Sequence, residues 1–243
     1  MPDEQPASKD TLRGWLETTV VKRAHGLLEA YRVLGWKLPI VSMLWLVRPC
    51  FTVISVDLRG ALPPTRQSAI TRWSTLTADD VPHVTAIHRT MTSGEIQRRQ
   101  SEQQTCYLGW VGNELAYYRW ESCAPAYLDY LGMTFCPLPG QVCVHNTYTA
   151  PRFRRAGIQA SAQTESQHRH RALGFLNRIS WVAWWNTPSM RASLPPGARI
   201  VGSVGYWNLL FRRVHFATGA VRLEPSSSFC VIDRPDEKPR VMR

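Results

Sequence analysis

The sequence has no apolar run long enough to cross a bilayer. Its most apolar stretch, residues 38–47 (LPIVSMLWLV), is followed at once by Arg48 and Pro49, whereas a membrane-spanning helix needs about 20 mostly apolar residues. The first ten residues, MPDEQPASKD, are polar and acidic, whereas a secretion signal begins with basic residues and continues with apolar ones. We therefore expect no transmembrane helix, no secretion and a cytoplasmic location.

Regularly spaced cysteines are also absent. The six cysteines are scattered and form no CxxC pair, so reduced thiols are a better interpretation than a disulfide framework or a zinc site. The segment HRHR contains His168 and His170, which point in different directions if the segment is helical. We expect no bound metal.

Acidic residues are few relative to basic ones. The chain has 29 Lys and Arg against 18 Asp and Glu, a formal net charge of +11, which favours phosphate-bearing ligands, nucleic acid or an anionic membrane surface as partners. The sequence contains no arginine-rich tract and no RNA-binding signature. We therefore expect no nucleic-acid partner, and we attribute the charge to a phosphate-bearing cofactor and to an acidic or membrane surface.

The chain is large enough for one substantial core, because 44% of its 243 residues are hydrophobic. The pattern predicts an N-terminal extension over residues 1–67, a main domain over 68–235 and a polar tail over 236–243. Residues 11–35 of the extension place apolar side chains near helical spacing, with basic residues among them. Two roles remain open for this helix: packing on the main domain, which we favour, or peripheral contact of residues 11–47 with an anionic inner-membrane surface.

The rest of the chain alternates strand and helix signals, which predicts a mixed α/β (α+β) fold. Gly112 and Asn113 separate two apolar runs and predict a hairpin. The predicted strands are 51–60, 69–75, 105–112, 114–122, 141–149 and 178–185, with one or two closing strands over 199–216. The predicted helices begin at Thr77, near residue 95, near residue 157 and at residue 186, and the third ends at Gly174.

The turn after the strand at 141–149 is both basic and tight, with the sequence APRFRRAGIQA over residues 150–160. The first N–H groups of a helix have no partners within it, and the peptide dipoles favour negative charge there. Gly157 lets the backbone approach a phosphate closely, and Arg154 and Arg155 add positive charge. The turn therefore predicts an anion cradle, although a solvated basic turn would have the same composition.

This turn resembles the acyl-CoA signature of the GNAT superfamily of N-acetyltransferases, which is Arg or Gln, two residues, Gly, one residue, then Gly or Ala. Arg154 and Gly157 are in register with the signature, and Gln159 departs from it. A second similarity lies over residues 181–202, where the family has a strand ending in Asn, a short helix and a last strand. Asn186 matches that strand end. The resemblance covers about residues 68–216.

The resemblance implies a GNAT-like splayed, mostly antiparallel mixed sheet flanked by helices. The strands at 141–149 and 179–185 would separate and leave a V-shaped slot for the pantetheine arm of acetyl-CoA or another acyl-CoA. The residues implied to line this binding site are Thr147, Thr149, Arg154, Arg155, Ala156, Gly157, Ile158, Gln159, Ala160, Asn186 and Ser189.

The catalytic groups common in this family are missing. Where many relatives have a Glu base and a Tyr acid, this chain has Asn146 and Ser193. His145 is the candidate base, directly or through water, and Tyr148 is the candidate acid or substrate contact. The two side chains would point to opposite faces of a regular strand, although a bulge would change this. In a third arrangement the protein only positions an amine that is already neutral.

Two classes of function remain open. The first is an acyl-CoA-dependent N-acyltransferase, most simply an N-acetyltransferase, acting on an amine of a small metabolite, an amino acid or a sugar nucleotide. A variant of it uses longer acyl chains carried by CoA or by an acyl-carrier protein. The second class is a catalytically degenerate protein of the same fold that binds acyl-CoA or a partner. Acceptor contacts are expected from the variable segment 123–140.

Overall fold

The computed structural model describes residues 31–32, 34–64, 68–88, 90–209 and 212–232. The strands are β1 (Cys50–Asp57), β2 (Arg72–Thr75), β3 (Thr105–Val111), β4 (Glu114–Ser122), β5 (Ala126–Leu128), β6 (Met133–Phe135), β7 (Gln141–Thr149), β8 (Asn177–Ala183), β9 (Ala198–Leu209), β10 (Arg212–Gly219), β11 (Val221–Glu224) and β12 (Ser228–Val231). The helices are α1 (Leu38–Val47), α2 (Val81–Ile87), α3 (Ser93–Ser101), α4 (Ile158–Ala172) and α5 (Thr187–Ser193), with 3₁₀ turns at Gly35–Lys37, Ala78–Asp80 and Pro151–Phe153.

Eight strands form one sheet in the order β10-β9-β1-β8-β7-β4-β3-β2. Strands β7 and β8 run parallel, and the other neighbouring pairs of this sheet run antiparallel. The predicted fold class, a mixed and mostly antiparallel sheet flanked by helices, is confirmed. The remaining strands form a smaller sheet in the order β11-β12-β6-β5.

Strand β1 belongs to the predicted N-terminal extension, residues 1–67, and pairs within the large sheet. It lies between β8 and β9, where Phe51 is opposite Ala183 on one side and Val204 on the other. Val53 and Ile54 are fully buried in the core. Residues before the predicted boundary therefore supply a central strand of the same sheet. Most of the predicted helix at 11–35 and the whole polar tail at 236–243 lie outside the described residues.

The large sheet has different partners on its two faces. On one face, helices α2 and α3 cover a cluster that includes Leu108 and Trp120. The small sheet covers a second cluster on the same face, in which Phe229 and Phe135 pack against Trp181. Helix α4 covers the opposite face. Within the described part of the chain, no helix is both long and apolar enough to span a membrane, and no group of side chains could hold a metal ion.

Helix α4 packs on the sheet mainly through polar side chains. Glu121 of β4 accepts hydrogen bonds from Arg169 at 2.8 Å and from His170 at 2.9 Å, and it lies 2.6 Å from Arg119. Burial raises the pKa of Glu121, but Arg119, His170 and Arg169 outweigh burial and hold this pKa at about 2. The buried carboxylate therefore ties the helix to the sheet.

We predict that Glu121→Gln lowers the stability of the fold by about 3 kcal/mol near neutral pH, because the pKa falls from 4.5 to about 2 on folding. Because folding lowers the pKa of Glu121, its carboxylate stabilises the fold fully above the unfolded-state pKa. This contribution is lost as the pH falls toward 2. The difference from the native protein should therefore shrink below pH 4.5. Urea unfolding across this range measures it.

The control for this prediction is Glu165→Gln. Glu165 is more exposed and lies 3.3 Å from Arg119, so its replacement should cost much less. Equal losses for the two variants, or a loss for Glu121→Gln that does not depend on pH, would contradict the prediction.

Candidate functional site

Strands β7 and β8 separate partway along their length. Their residue pairs run from Gln141–Asn177 to Val144–Ser180, although β7 continues to residue 149 and β8 to residue 183. No pair between them is present beyond this point in the described residues. Each strand stays paired on its outer side, β7 with β4 and β8 with β1. The two strands therefore leave a slot between them that is open at their carboxyl ends.

A bulge lies in β7 where the slot begins. Trp120 of β4 is opposite His145, and Tyr118 is opposite Tyr148, so two residues of β7 face the single residue between Trp120 and Tyr118. Asn146, within the bulge, has φ of 45°. Residues two apart on β4 lie on one face of the sheet, and so do their cross-strand partners. His145 and Tyr148 therefore lie on the same face, as the bulged alternative predicted.

His145 is buried at the point where the strands separate. It is 4% exposed and stacks on Trp181 of β8, with 6.2 Å between the ring centroids. Nη1 of Arg99 lies 3.4 Å from its Nδ1. Because a guanidinium group only donates, Nδ1 is the acceptor, and the neutral ring carries its hydrogen on Nε2. Burial and the positive charge of Arg99 lower the pKa of His145 to about 3.

This arrangement suits His145 to act as a hydrogen-bond donor rather than as a general base. An imidazole with a pKa of about 3 is neutral at pH 7 and accepts protons weakly. Its Nε2 has no hydrogen-bond partner among the described residues. His145 therefore offers a buried N–H group, and a base role would require the other tautomer.

Arg99 also contacts Asn146, which lies where many members of the family have a Glu base. With its amide oxygen turned toward α3, Asn146 accepts a hydrogen bond from Nη1 of Arg99 at 2.7 Å. Nε of Arg99 donates to Glu95 at 2.7 Å. Arg99 thus fixes both Asn146 and the tautomer of His145. The sequence pattern did not single out Arg99, because its helix is far from β7 in the chain.

Tyr148 lies in a stack of rings beside the slot. The ring of His88 is 4.2 Å away and nearly parallel to it, and Tyr118 stacks at 5.8 Å. The guanidinium of Arg154 lies 5.6 Å from the Tyr148 ring. His88 and Tyr118 share a hydrogen bond. Tyr148 therefore connects the bulge to the basic turn, and sequence reasoning missed its two aromatic neighbours.

The basic turn stands at the open end of the slot. Arg154 is half-buried and donates from Nε to the carbonyl of Thr149 at 3.2 Å, and Arg155 is exposed. Gly157 is the N-cap of α4 with φ of 69°. A glycine supplies no side chain to cap the helix, and the first turn of α4 contains no acid. The N–H groups of residues 158–160 therefore have no acceptor within the helix, and they lie where the sequence predicts an anion cradle.

Other predicted site residues lie on β7, in the basic turn and after β8. Thr147 is exposed and Thr149 half-buried on β7, while Ala156 is exposed in the turn. Asn186, after β8, accepts a hydrogen bond from the N–H of Ser189 at 3.2 Å. Asn186 therefore caps α5 and fixes the direction in which the chain leaves the slot.

No protein-family model and no curated protein matches the chain. Among solved structures, it is similar to a protein from Novosphingobium aromaticivorans assigned to the GNAT family of acetyltransferases, with 17% identity, 65% of this chain and 62% of that chain covered, and a TM-score of 0.48. It is also similar to a GCN5-related glucosamine N-acetyltransferase region of a fungal multi-domain protein, with 12% identity, 69% and 21% coverage, and a TM-score of 0.46.

A third similar structure is the aminoglycoside N-acetyltransferase AAC(6')-Iy in complex with CoA, with 13% identity, 54% of this chain and 96% of that chain covered, and a TM-score of 0.40. The chain thus spans less than two thirds of the first of these structures. That structure is assigned to the family that the basic turn resembles.

Proposed function

We propose that the protein is an acyl-CoA-dependent N-acyltransferase that acylates an amine of a small acceptor. The observation that carries this proposal is the slot between β7 and β8, which has a glycine-capped helix N-terminus at its open end. A slot edged by strand backbone suits a ligand with amide groups, and the helix end suits a phosphate. CoA has both features, because it joins a pantetheine arm with two amide groups to a diphosphate.

The backbone would hold most of the donor. The β7 residues beyond Val144 have no partner in β8 within the described residues, so their N–H and C=O groups can pair with the amides of pantetheine as an added strand. The N–H groups of residues 158–160 would bind the diphosphate, with Arg154 and Arg155 adding charge. Binding through backbone tolerates Gln159, whose side chain departs from the family signature.

The reaction forms a C–N bond and breaks the C–S bond of the thioester, and the amine proton leaves with the thiolate or with water. His145 would donate from Nε2 to the carbonyl oxygen, where negative charge develops. The protein would position a neutral amine and needs no side-chain base with a pKa near 7. Tyr148 is the candidate acid for the departing thiolate.

A thiol-release assay tests the proposal. We expect acetyl-CoA or a longer acyl-CoA to release CoA only when an amine acceptor is present, over a panel of amino acids, amino sugars and small metabolites. An acyl-carrier protein bearing the same acyl group is a second donor to test. Saturable CoA binding with no release across the whole panel would support the degenerate binding protein instead.

We predict that Gly157→Asp weakens CoA binding at least tenfold, about 1.4 kcal/mol, relative to Gly157→Asn. Both side chains tolerate positive φ and have the same shape, and a Cβ at this position meets open space. The two variants therefore differ mainly in a negative charge at the cradle. Calorimetric titration with CoA measures the difference, and equal affinities would remove the cradle from the proposal.

We predict that His145→Ala lowers kcat by roughly 100-fold, with little change in the KM for the donor. His145→Gln should recover most of the activity, because a glutamine amide donates a hydrogen bond but cannot act as a base. Thiol release by the two variants is the measurement. A Gln variant as inactive as the Ala variant would return the base role to His145.

A further inference from the structure

Helix α1 presents one apolar face that no described residue covers. Ile40, Met43, Leu44 and Val47 follow helical spacing, with Trp36 one turn earlier in the preceding 3₁₀ turn. Their side chains are 56%, 63%, 46%, 46% and 79% exposed, respectively. We call these five residues the α1 stripe. Single exposed apolar residues are ordinary, but a continuous stripe marks an interaction site.

The stripe continues into a groove at the end of the large sheet. The groove has a volume of about 400 Å³ and is lined by Leu44, Val47, Arg48, Cys50, Trp184 and Trp207. Trp184 follows β8 and Trp207 belongs to β9, and both are exposed. Helix and sheet therefore share one apolar surface with three tryptophans along it.

The charged residues that flank α1 in the sequence are all positive. Residues 31–56 contain Arg32, Lys37 and Arg48 and no Asp or Glu, and these three side chains are exposed. The guanidinium of Arg48 lies 4.7 Å above the ring of Trp207. Cations therefore stand directly beside the apolar side chains.

We propose that the α1 stripe and its groove dock on the surface of an anionic lipid bilayer. Apolar side chains with tryptophans enter the interface, while Lys and Arg at the rim contact the headgroups. A second copy fits less well, because pairing this face with itself would bring the same cations together without acids to neutralise them. The proposal is independent of the proposed catalytic activity.

Vesicle sedimentation of the full chain tests the proposal. We expect binding to vesicles of equal parts phosphatidylcholine and phosphatidylglycerol, weaker binding to phosphatidylcholine alone, and release by salt, because salt screens surface charge. Met43→Glu should lower the partition coefficient by roughly tenfold or more, since it places a charge in the interface. Lys37→Gln should lower it by roughly fivefold.

The matched control is Leu173→Glu, which changes a leucine of similar exposure at the end of α4, away from the stripe. It should bind vesicles like the native protein. Ile40→Glu is a second stripe variant that should also weaken binding, and it replaces Met43→Glu if circular dichroism shows that Met43→Glu is misfolded. Absent binding to the mixed vesicles, or binding that both stripe variants leave unchanged, would overturn the proposal.

Two further outcomes would assign the stripe to another occupant and overturn the lipid proposal. If binding is absent in the full chain and appears after deletion of residues 2–30, the N-terminal segment of the chain covers the stripe. If light scattering shows a dimer that Met43→Glu dissociates, a second copy covers it.

Discussion

The candidate site depends on the loss of pairing between two parallel strands. Strand β7 is held on its outer side by β4, and β8 is held by β1, so each strand follows its own partner once the pairs between them end at Val144–Ser180. Backbone polar groups along the resulting gap need hydrogen-bond partners. A ligand that carries amide groups supplies them, which is the physical reason for proposing that a pantetheine arm fills the slot.

The cradle at the end of the slot is positioned by charge as well as by packing. Helix α4 begins at the cradle, and its other end is bound to the sheet by Arg169 and His170, which both donate to Glu121. Buried ion pairs add little net stability compared with apolar packing, but removing one partner is costly. The network therefore holds α4 in one orientation, with its first turn after the open end of the slot.

Local features of the site could be predicted from the sequence. The strand predicted over residues 141–149 matches the bounds of β7, and Gly157 marks the start of α4 because only a residue that tolerates positive φ fits there. Features that depend on distant partners could not. The insertion of β1 between β8 and β9 is a long-range pairing without a periodic signal, and the strands of the small sheet are only three or four residues long. The tautomer of His145 depends on Arg99, 46 residues away in the chain.

Hydrogen exchange with and without CoA is the sharpest test of the proposed donor site, because the donor would bind to backbone groups of β7 and α4. At a CoA concentration that saturates binding, we expect slower amide exchange over residues 146–149 of β7 and 158–160 of α4, with the turn near Gly174 at the opposite end of α4 unchanged. If CoA binds but exchange at these two segments stays the same, the slot between β7 and β8 is not the donor site.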